Sequence, residues 1–341
     1  MRVALVWRDY KPTIGGGAIQ LRYIMEGFDR EGIDYELINY DNTWHIPIRY
    51  GFLVNLKLWS FFKAAARKLD KGGFDWCLCQ ALNGYAGILS KVVTITRHSG
   101  LVRGVYERVY KDVMPRRGIL YFKPRLWMEE KIFKRSEGVI CATPTMKREI
   151  ELYFERKENV FVVGQAIDTS FFERDDVEKP KHPRILFVGR EQRLDRKGTK
   201  YLFQAFELVK RECPEAELYT PTLKGWVPHE KMPEVYHRST IFVYPSLYEG
   251  LANVVLEAMA CKLPCVVTDI DGQGDIIRSG WNGLKVPPRD SKALAEAILK
   301  LIYDPGLAEK LGENAYRTVK EMTPERFVKN ILAVAERLTG P

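Results

Sequence analysis

The residues best equipped for chemistry are two glutamates, Glu249 and Glu257, with seven residues between them and a glycine directly after the first. Gly250 lets the backbone come close to a ligand. The N–H groups of Leu251, Ala252 and Asn253, leading into a helical run, would point at negative charge or at sugar hydroxyls. Glu257 stands among Val255, Leu256, Ala258 and Met259, so its charge requires a partner. The hydroxyls of a ribose or hexose would serve. The plainer alternative makes Glu249 an ordinary loop acid and Glu257 a solvent-facing helix residue.

The elements around the pair weigh against that alternative. Ile241-Phe-Val-Tyr244 is a short β-prone run closed by Pro245, a buried strand feeding a loop, and Val254 to Lys262 reads as the helix that follows. Leu263 to Asp269 returns as a second strand and ends in Gly272-Gln-Gly274. Two strand ends with glycine-bearing loops match the ligand-binding edge of an open parallel sheet. Pro245-Ser246-x-x-Glu249-Gly250, Glu249-x7-Glu257 and Leu263-Pro264-x-Val266-Val267 resemble the signature of the retaining nucleotide-sugar glycosyltransferases of group 1, family 4. The resemblance extends over most of the chain and is strongest from Arg184 to Asp304.

The resemblance implies an α/β chain of the GT-B fold: two facing Rossmann-like domains with parallel sheets and a last helix that crosses back onto the first domain. Residues 1–171, joined by 324–341, would form the acceptor-side domain, and residues 172–323 the donor-binding domain. Arg190 and Lys197 match the family's Gly-Arg and Lys-Gly pair that grips the donor pyrophosphate, and a guanidinium fork beside an ammonium suits phosphate oxygens. Glu257 would take the ribose hydroxyls. Glu249, with Gly250, Leu251, Ala252 and Asn253, would hold the sugar or diphosphate. His98, delivered by the strand Lys91 to Thr96, would face the sugar. Gly16 and Gly17, in the first βα turn, would lie beneath the donor, whose nucleotide is expected to be of the UDP type. With fixed cations at the leaving group, neither metal nor cofactor is expected. The nearest Asp-x-Asp, Asp269-Ile-Asp271, precedes the glycine loop and is not read as a metal site. One departure concerns the base: after the strand Ala216 to Tyr219 the family has a further helix and strand, whereas here Thr220 to Pro228 follows directly.

Composition bounds the reading. A chain of 341 residues, 46% hydrophobic and 28% charged, fits two soluble domains. No apolar run is long enough for a membrane span, and Met1 to Asp9 fits a first strand better than a signal peptide, so a cytoplasmic protein is expected. Six cysteines without paired C-x-x-C spacing read as buried thiols. The formal charge is +9, and Leu101 to Arg135 carries ten basic against four acidic residues, a net of +6. An anionic partner follows from it. A phosphorylated saccharide, nucleic acid or the inner face of a membrane would suit; so would a plain solvated surface.

Taken in order, Val3 to Trp7, the Gly15-Gly16-Gly17 loop, a helix from Ala18 to Arg30 and a strand from Tyr35 to Tyr40 make a βαβ unit. A dinucleotide fingerprint would need glycine where Gln20 stands. Phe52 to Lys68 is an amphipathic helix bordered by lysines. Leu126 to Ser136 reads as another helix, and Glu173 to Arg184 as the linker. The conclusion is transfer of a sugar from a nucleotide donor to a saccharide or glycolipid, of the kind used in cell-surface polysaccharide or lipopolysaccharide synthesis, on a protein peripheral to the membrane and without a nucleic-acid partner. A sugar-nucleotide epimerase of the same fold and a non-catalytic basic binding module are the alternatives.

Overall fold

The computed structural model describes every residue except 11–15, 48–53, 113, 115–117, 175, 176, 179, 190–194, 224, 226, 271 and 341. The chain forms two compact units. One comprises Met1–Pro12, Gly17–Gly164 and Glu325–Pro341, the other Thr13–Gly16 with Gln165–Pro324.

In the first unit, strands β1 (Arg2–Val6), β2 (Asp34–Ile38), β3 (Trp76–Gln80), β4 (Val93–His98), β5 (Gly138–Cys141) and β6 (Val160–Val162) form one parallel sheet, in the order β2-β1-β3-β4-β5-β6. Runs such as Val-Ala-Leu-Val in β1 are fully buried, as strands covered on both faces must be. The connecting helices are α1 (Gly16–Arg30), α2 (Val54–Lys71), α3 (Gly84–Gly87), α4 (Val102–Val105), α5 (Ile119–Arg135) and α6 (Pro144–Phe154). Phe61, Phe62, Ala65 and Leu69 of α2 and Met128 and Ile132 of α5 share one core cluster with β1 and β3. The sequence is read with α5 starting at Leu126, two residues after Pro124, which lacks the N–H that a helix interior uses. The helix nevertheless begins five residues before that proline and runs through it. Leu120, whose carbonyl would have paired with the missing N–H, accepts instead from Asn55 Nδ2 of α2 at 3.4 Å.

The second unit holds α7 (Thr169–Phe172), β7 (Arg184–Leu186), α8 (Thr199–Glu212), β8 (Glu217–Tyr219), α9 (Met232–His237), β9 (Ile241–Tyr244), α10 (Asn253–Ala260), β10 (Cys265–Thr268), α11 (Gln273–Ile276), β11 (Leu284–Val286), α12 (Ser291–Tyr303) and α13 (Pro305–Val319). Its five strands are parallel, ordered β11-β10-β9-β7-β8. The chain turns from β7 to β8 on one side and returns to β9 on the other, so the topological switch point lies between β7 and β9. That is where an open α/β sheet binds ligands.

The last helix, α14 (Pro324–Thr339), belongs to the first unit. Val328 packs on Gly27 of α1, Phe327 lies under the Arg97 guanidinium, and Arg30 pairs with Glu325. All six cysteines are buried free thiols.

Candidate functional site

The second unit concentrates charge at its switch point. Asp195 caps α8, its two carboxylate oxygens each accepting a backbone N–H, from Thr199 and Lys200, at 2.7 Å. This cap fixes the turn that carries Arg196 and Lys197. Gly198 follows at φ +71°, and a Cβ there would stand 1.9 Å from the Pro245 carbonyl oxygen, so only glycine lets the turn lie against the end of β9. The other side of the contact is hydrogen-bonded too: Leu247 N and Ser246 Oγ both donate to the Arg196 carbonyl, at 2.8 and 3.1 Å.

The result is a four-donor cradle around one oxygen. Glu249 Oε1 accepts from Lys197 Nζ at 2.5 Å, Arg196 Nη1 at 2.8 Å, Tyr244 Oη at 3.2 Å and Ser246 Oγ at 3.3 Å. Burial by itself would raise the Glu249 carboxyl, but the two cations outweigh it and hold the group at about 2. Burial lowers the Lys197 ammonium, and Glu249 opposes that shift without cancelling it. Lys197 also bonds Tyr244 Oη and lies 4.8 Å from the centre of that ring. Two cations with one carboxylate leave a net positive site beside the first residues of α10, whose N-terminus adds partial positive charge.

Gly250, Leu251, Ala252 and Asn253 connect this cradle to α10, which opens at Asn253. Gly272 at φ +81° passes so near the Gly250 carbonyl that a Cβ would stand 1.3 Å from its oxygen, and Gln165 Nε2 donates to the Leu251 carbonyl at 3.0 Å. The loop is therefore fixed from two sides. Glu257, in the middle of α10, is 5% exposed and accepts from Tyr236 Oη at 2.7 Å. Burial pushes its carboxyl up to about 7, with the tyrosine hydrogen bond pulling the other way. The partner that so apolar a setting demands is thus a tyrosine from α9, and among the described residues no cation pairs with it.

Of the remaining sequence candidates, Gly16 touches the Gly250 to Asn253 loop, its carbonyl accepting from Asn253 Nδ2 at 2.8 Å. Arg190 falls outside the described residues. Gly16 and Gly17 are the first residues of α1, and the loop before them is likewise outside. His98 ends β4 in the first unit, 1% exposed, with its ring centroid 4.6 Å from that of Phe133. Among the described residues neither of its ring nitrogens has a hydrogen-bond partner, and burial together with Arg97 and Arg156 lowers its pKa to about 3, so the imidazole is neutral. Asp269 pairs with Lys285 at 2.8 Å. Sequence reasoning did not single out Arg196, Tyr244, Ser246 or Tyr236. Ser246 belongs to the motif itself and Arg196 and Tyr244 adjoin motif residues, but nothing in the spacing ties Tyr236 to Glu257.

Residues 182–304 match the family described as glycosyl transferases group 1. An uncharacterized glycosyltransferase of Methanocaldococcus jannaschii is 32% identical over 358 residues, 97% of each chain. The alpha-D-kanosaminyltransferase of Streptomyces kanamyceticus is 28% identical over 55% of this chain, which spans 57% of that relative's length. Among solved structures, a sucrose-phosphate synthase from Thermosynechococcus elongatus superposes with a TM-score of 0.83 at 19% identity over 99% of this chain and 98% of its own. An Anabaena protein, HepE, solved with UDP and glucose, superposes at 0.70 and 14% identity over the whole of both chains. The two parallel sheets and the returning C-terminal helix are those of the GT-B fold, and the chain belongs to the group 1 glycosyltransferases.

Proposed function

We propose that the protein moves a hexose-type sugar from a nucleotide-sugar donor, UDP-linked in preference to others, onto a saccharide or glycolipid hydroxyl, with retention at the anomeric carbon and without a metal. The observation that carries this reading is the Lys197, Arg196 and Glu249 cluster at the switch point of the second unit. As the bond between the anomeric carbon and phosphate breaks, the sugar gains oxocarbenium character and the diphosphate gains negative charge. Lys197, with Arg190, would neutralise that charge, and preorganised cations lower the barrier without reorganisation at the moment of reaction. Glu249 holds Lys197 in place and presents its second oxygen to the sugar; Glu257 accepts from the ribose. His98 would line the acceptor-side unit as a neutral group. A lipid-linked glycan acceptor of the kind used in surface polysaccharide synthesis brings the protein to an anionic membrane face, where it would act as a peripheral enzyme.

The test is donor turnover with a panel of UDP-, GDP- and ADP-sugars, reading nucleoside diphosphate release and the anomeric configuration of the product by NMR, with and without EDTA. Release from a UDP-sugar, an unchanged anomer and indifference to EDTA are expected. No turnover of any donor ends the reading; an inverted product ends the retaining mechanism; loss of turnover in EDTA ends metal independence.

A further inference from the structure

The first unit carries an exposed apolar ridge that includes none of the residues assigned above to glycosyl transfer. On α2, Leu56, Trp59, Lys63 and Arg67 are exposed and spaced three, four and four residues apart, a single helical stripe. On α5, Leu120, Lys123, Trp127 and Lys131 repeat the same spacing, with Lys131 half-buried. Leu120 is 57% exposed, Trp127 48% and Trp59 43%, which is unusual for such large apolar side chains gathered on two neighbouring helices. The stripes adjoin. Asn55 of α2 donates to the Leu120 carbonyl and accepts from Arg125 Nη1 at 2.6 Å, which ties the helices side by side. Each tryptophan has a lysine four residues later against its ring, Lys63 at 3.6 Å from Trp59 and Lys131 at 5.9 Å from Trp127. An apolar tip with a cation one turn further on is the arrangement of interfacial aromatics and snorkelling lysines at a bilayer surface.

Charge alone does not explain the basic segment of this unit. Arg103 and Lys111 pair with Glu107, Arg108 with Glu149 and Lys134 with Glu130, while Arg125 is buried. Glu107 and Glu130 are already subtracted in the +6, so only Glu149 lowers it, and the charge that remains lies beside an apolar face.

We propose that α2 and α5 together form a membrane-docking ridge, in which Leu56, Trp59, Leu120 and Trp127 enter the headgroup region of an anionic leaflet while Lys63, Arg67 and Lys123 meet its phosphates. No helix among the described residues is long and apolar enough to cross a membrane, so the ridge lies on the surface. The four exposed side chains alone fall short of the roughly 800 Å² per partner that a stable protein interface buries. They suffice for shallow interfacial insertion backed by basic residues. The proposal deepens the glycolipid reading but is tested apart from it.

The full chain is mixed with phosphatidylcholine vesicles, with or without phosphatidylglycerol, and sedimented at low and high salt. Intrinsic tryptophan fluorescence is read with and without brominated acyl chains. Binding to anionic vesicles, partial retention at high salt and quenching by the bromolipid are expected. Trp59→Ser combined with Trp127→Ser should weaken vesicle partition on the order of tenfold or more while leaving donor turnover and the far-UV spectrum unchanged. Leu120→Glu, at an exposed position, should do the same through charge. Complete release by salt without quenching would reduce the contact to electrostatics and overturn the ridge. Failure to bind any vesicle, with a dimer by sedimentation that Leu120→Glu breaks, would assign the face to a second copy of the chain and overturn it equally. Loss of vesicle binding with intact turnover leaves the transferase reading standing, and lack of turnover with intact vesicle binding leaves the ridge standing.

Discussion

Lys197 Nζ and Glu249 Oε1 lie 2.5 Å apart, and Arg196 reaches the same oxygen at 2.8 Å, so one carboxylate answers to two cations from the turn before α8. A diphosphate entering this corner meets a site whose positive charge is already half compensated. Lys197→Ala should cost on the order of 2–4 kcal/mol in transition-state stabilisation, read as a fall in kcat/KM of the donor reaction. Glu249→Gln leaves the two cations facing one another. Its Tm should drop by the equivalent of roughly 1–3 kcal/mol, under the range of fully sealed pairs because the carboxylate is 12% exposed. Added UDP should raise the Tm of the Gln variant more than that of the wild type, since it replaces the missing anion. Equal shifts in both proteins would separate the nucleotide from this cluster. The Glu249 carboxyl is depressed to about 2 against an ordinary 4.5, so its contribution to stability is complete above pH 4.5 and is lost as the pH falls toward 2.

Glu257 behaves in the opposite sense. Its carboxyl is raised to about 7, so the folded protein holds a proton that the unfolded chain releases near 4.5, and the ionised form at this position erodes stability as the pH rises between those values. On the proposed ribose assignment, binding is strongest to the ionised form. Nucleoside diphosphate affinity should therefore climb with pH through about 7, and Glu257→Gln should lose roughly 1–3 kcal/mol of it and flatten the profile. Tyr236→Phe removes the hydrogen bond that favours the charged carboxylate, so its affinity profile should move to higher pH with the same upper plateau. Isothermal titration of UDP across this range decides the matter: a flat wild-type profile, or a Phe variant weakened equally at every pH, would remove Glu257 from the ribose.

Gly198 joins backbone geometry to chemistry. At φ +71°, with the Pro245 oxygen 1.9 Å from where a Cβ would sit, Gly198→Ala must open the contact between the Lys197 turn and the end of β9. A loss of about 1–3 kcal/mol in stability is expected from backbone strain alone. Because Lys197 moves with the turn, kcat should fall as well. Wild-type kinetics in a folded Gly198→Ala protein would mean that the turn holds no cation the reaction needs.

Much of the fold was legible because strands buried on both faces write themselves as unbroken apolar runs. Val3 to Val6, Ile241 to Tyr244 and Cys265 to Thr268 could each be read directly. The Lys197 and Glu249 positions were legible as motif residues, but their ion pair was not: it joins residues 52 positions apart and depends on the register of β7 against β9. Tyr236 escaped for the same reason, since a short helix from elsewhere in the sheet delivers it to Glu257. The start of α5 was misplaced because proline is locally forbidding, whereas the compensating Asn55 comes from another helix, 65 positions away from the carbonyl it serves.

One of the contacts that return the C-terminal helix to the first unit can be tested by one methyl group. Gly27 lies inside α1, where alanine would ordinarily stabilise a helix by about 1 kcal/mol relative to glycine. Here a Cβ would fall 2.5 and 2.9 Å from the two Val328 methyl carbons, below any real van der Waals contact. Val328 is 2% exposed and β-branched, so its χ1 has little freedom to retreat and the contact between α1 and α14 must open. Overpacking of this kind costs typically ~1–3 kcal/mol, which exceeds the propensity gain, so the net sign is destabilising. Gly27→Ala should therefore lower the Tm, and Gly27→Ala combined with Val328→Ala should recover most of the loss, because the second change makes room for the first. A single variant as stable as the wild type, or a double variant less stable than either single one, would show that α1 and α14 do not meet at this pair.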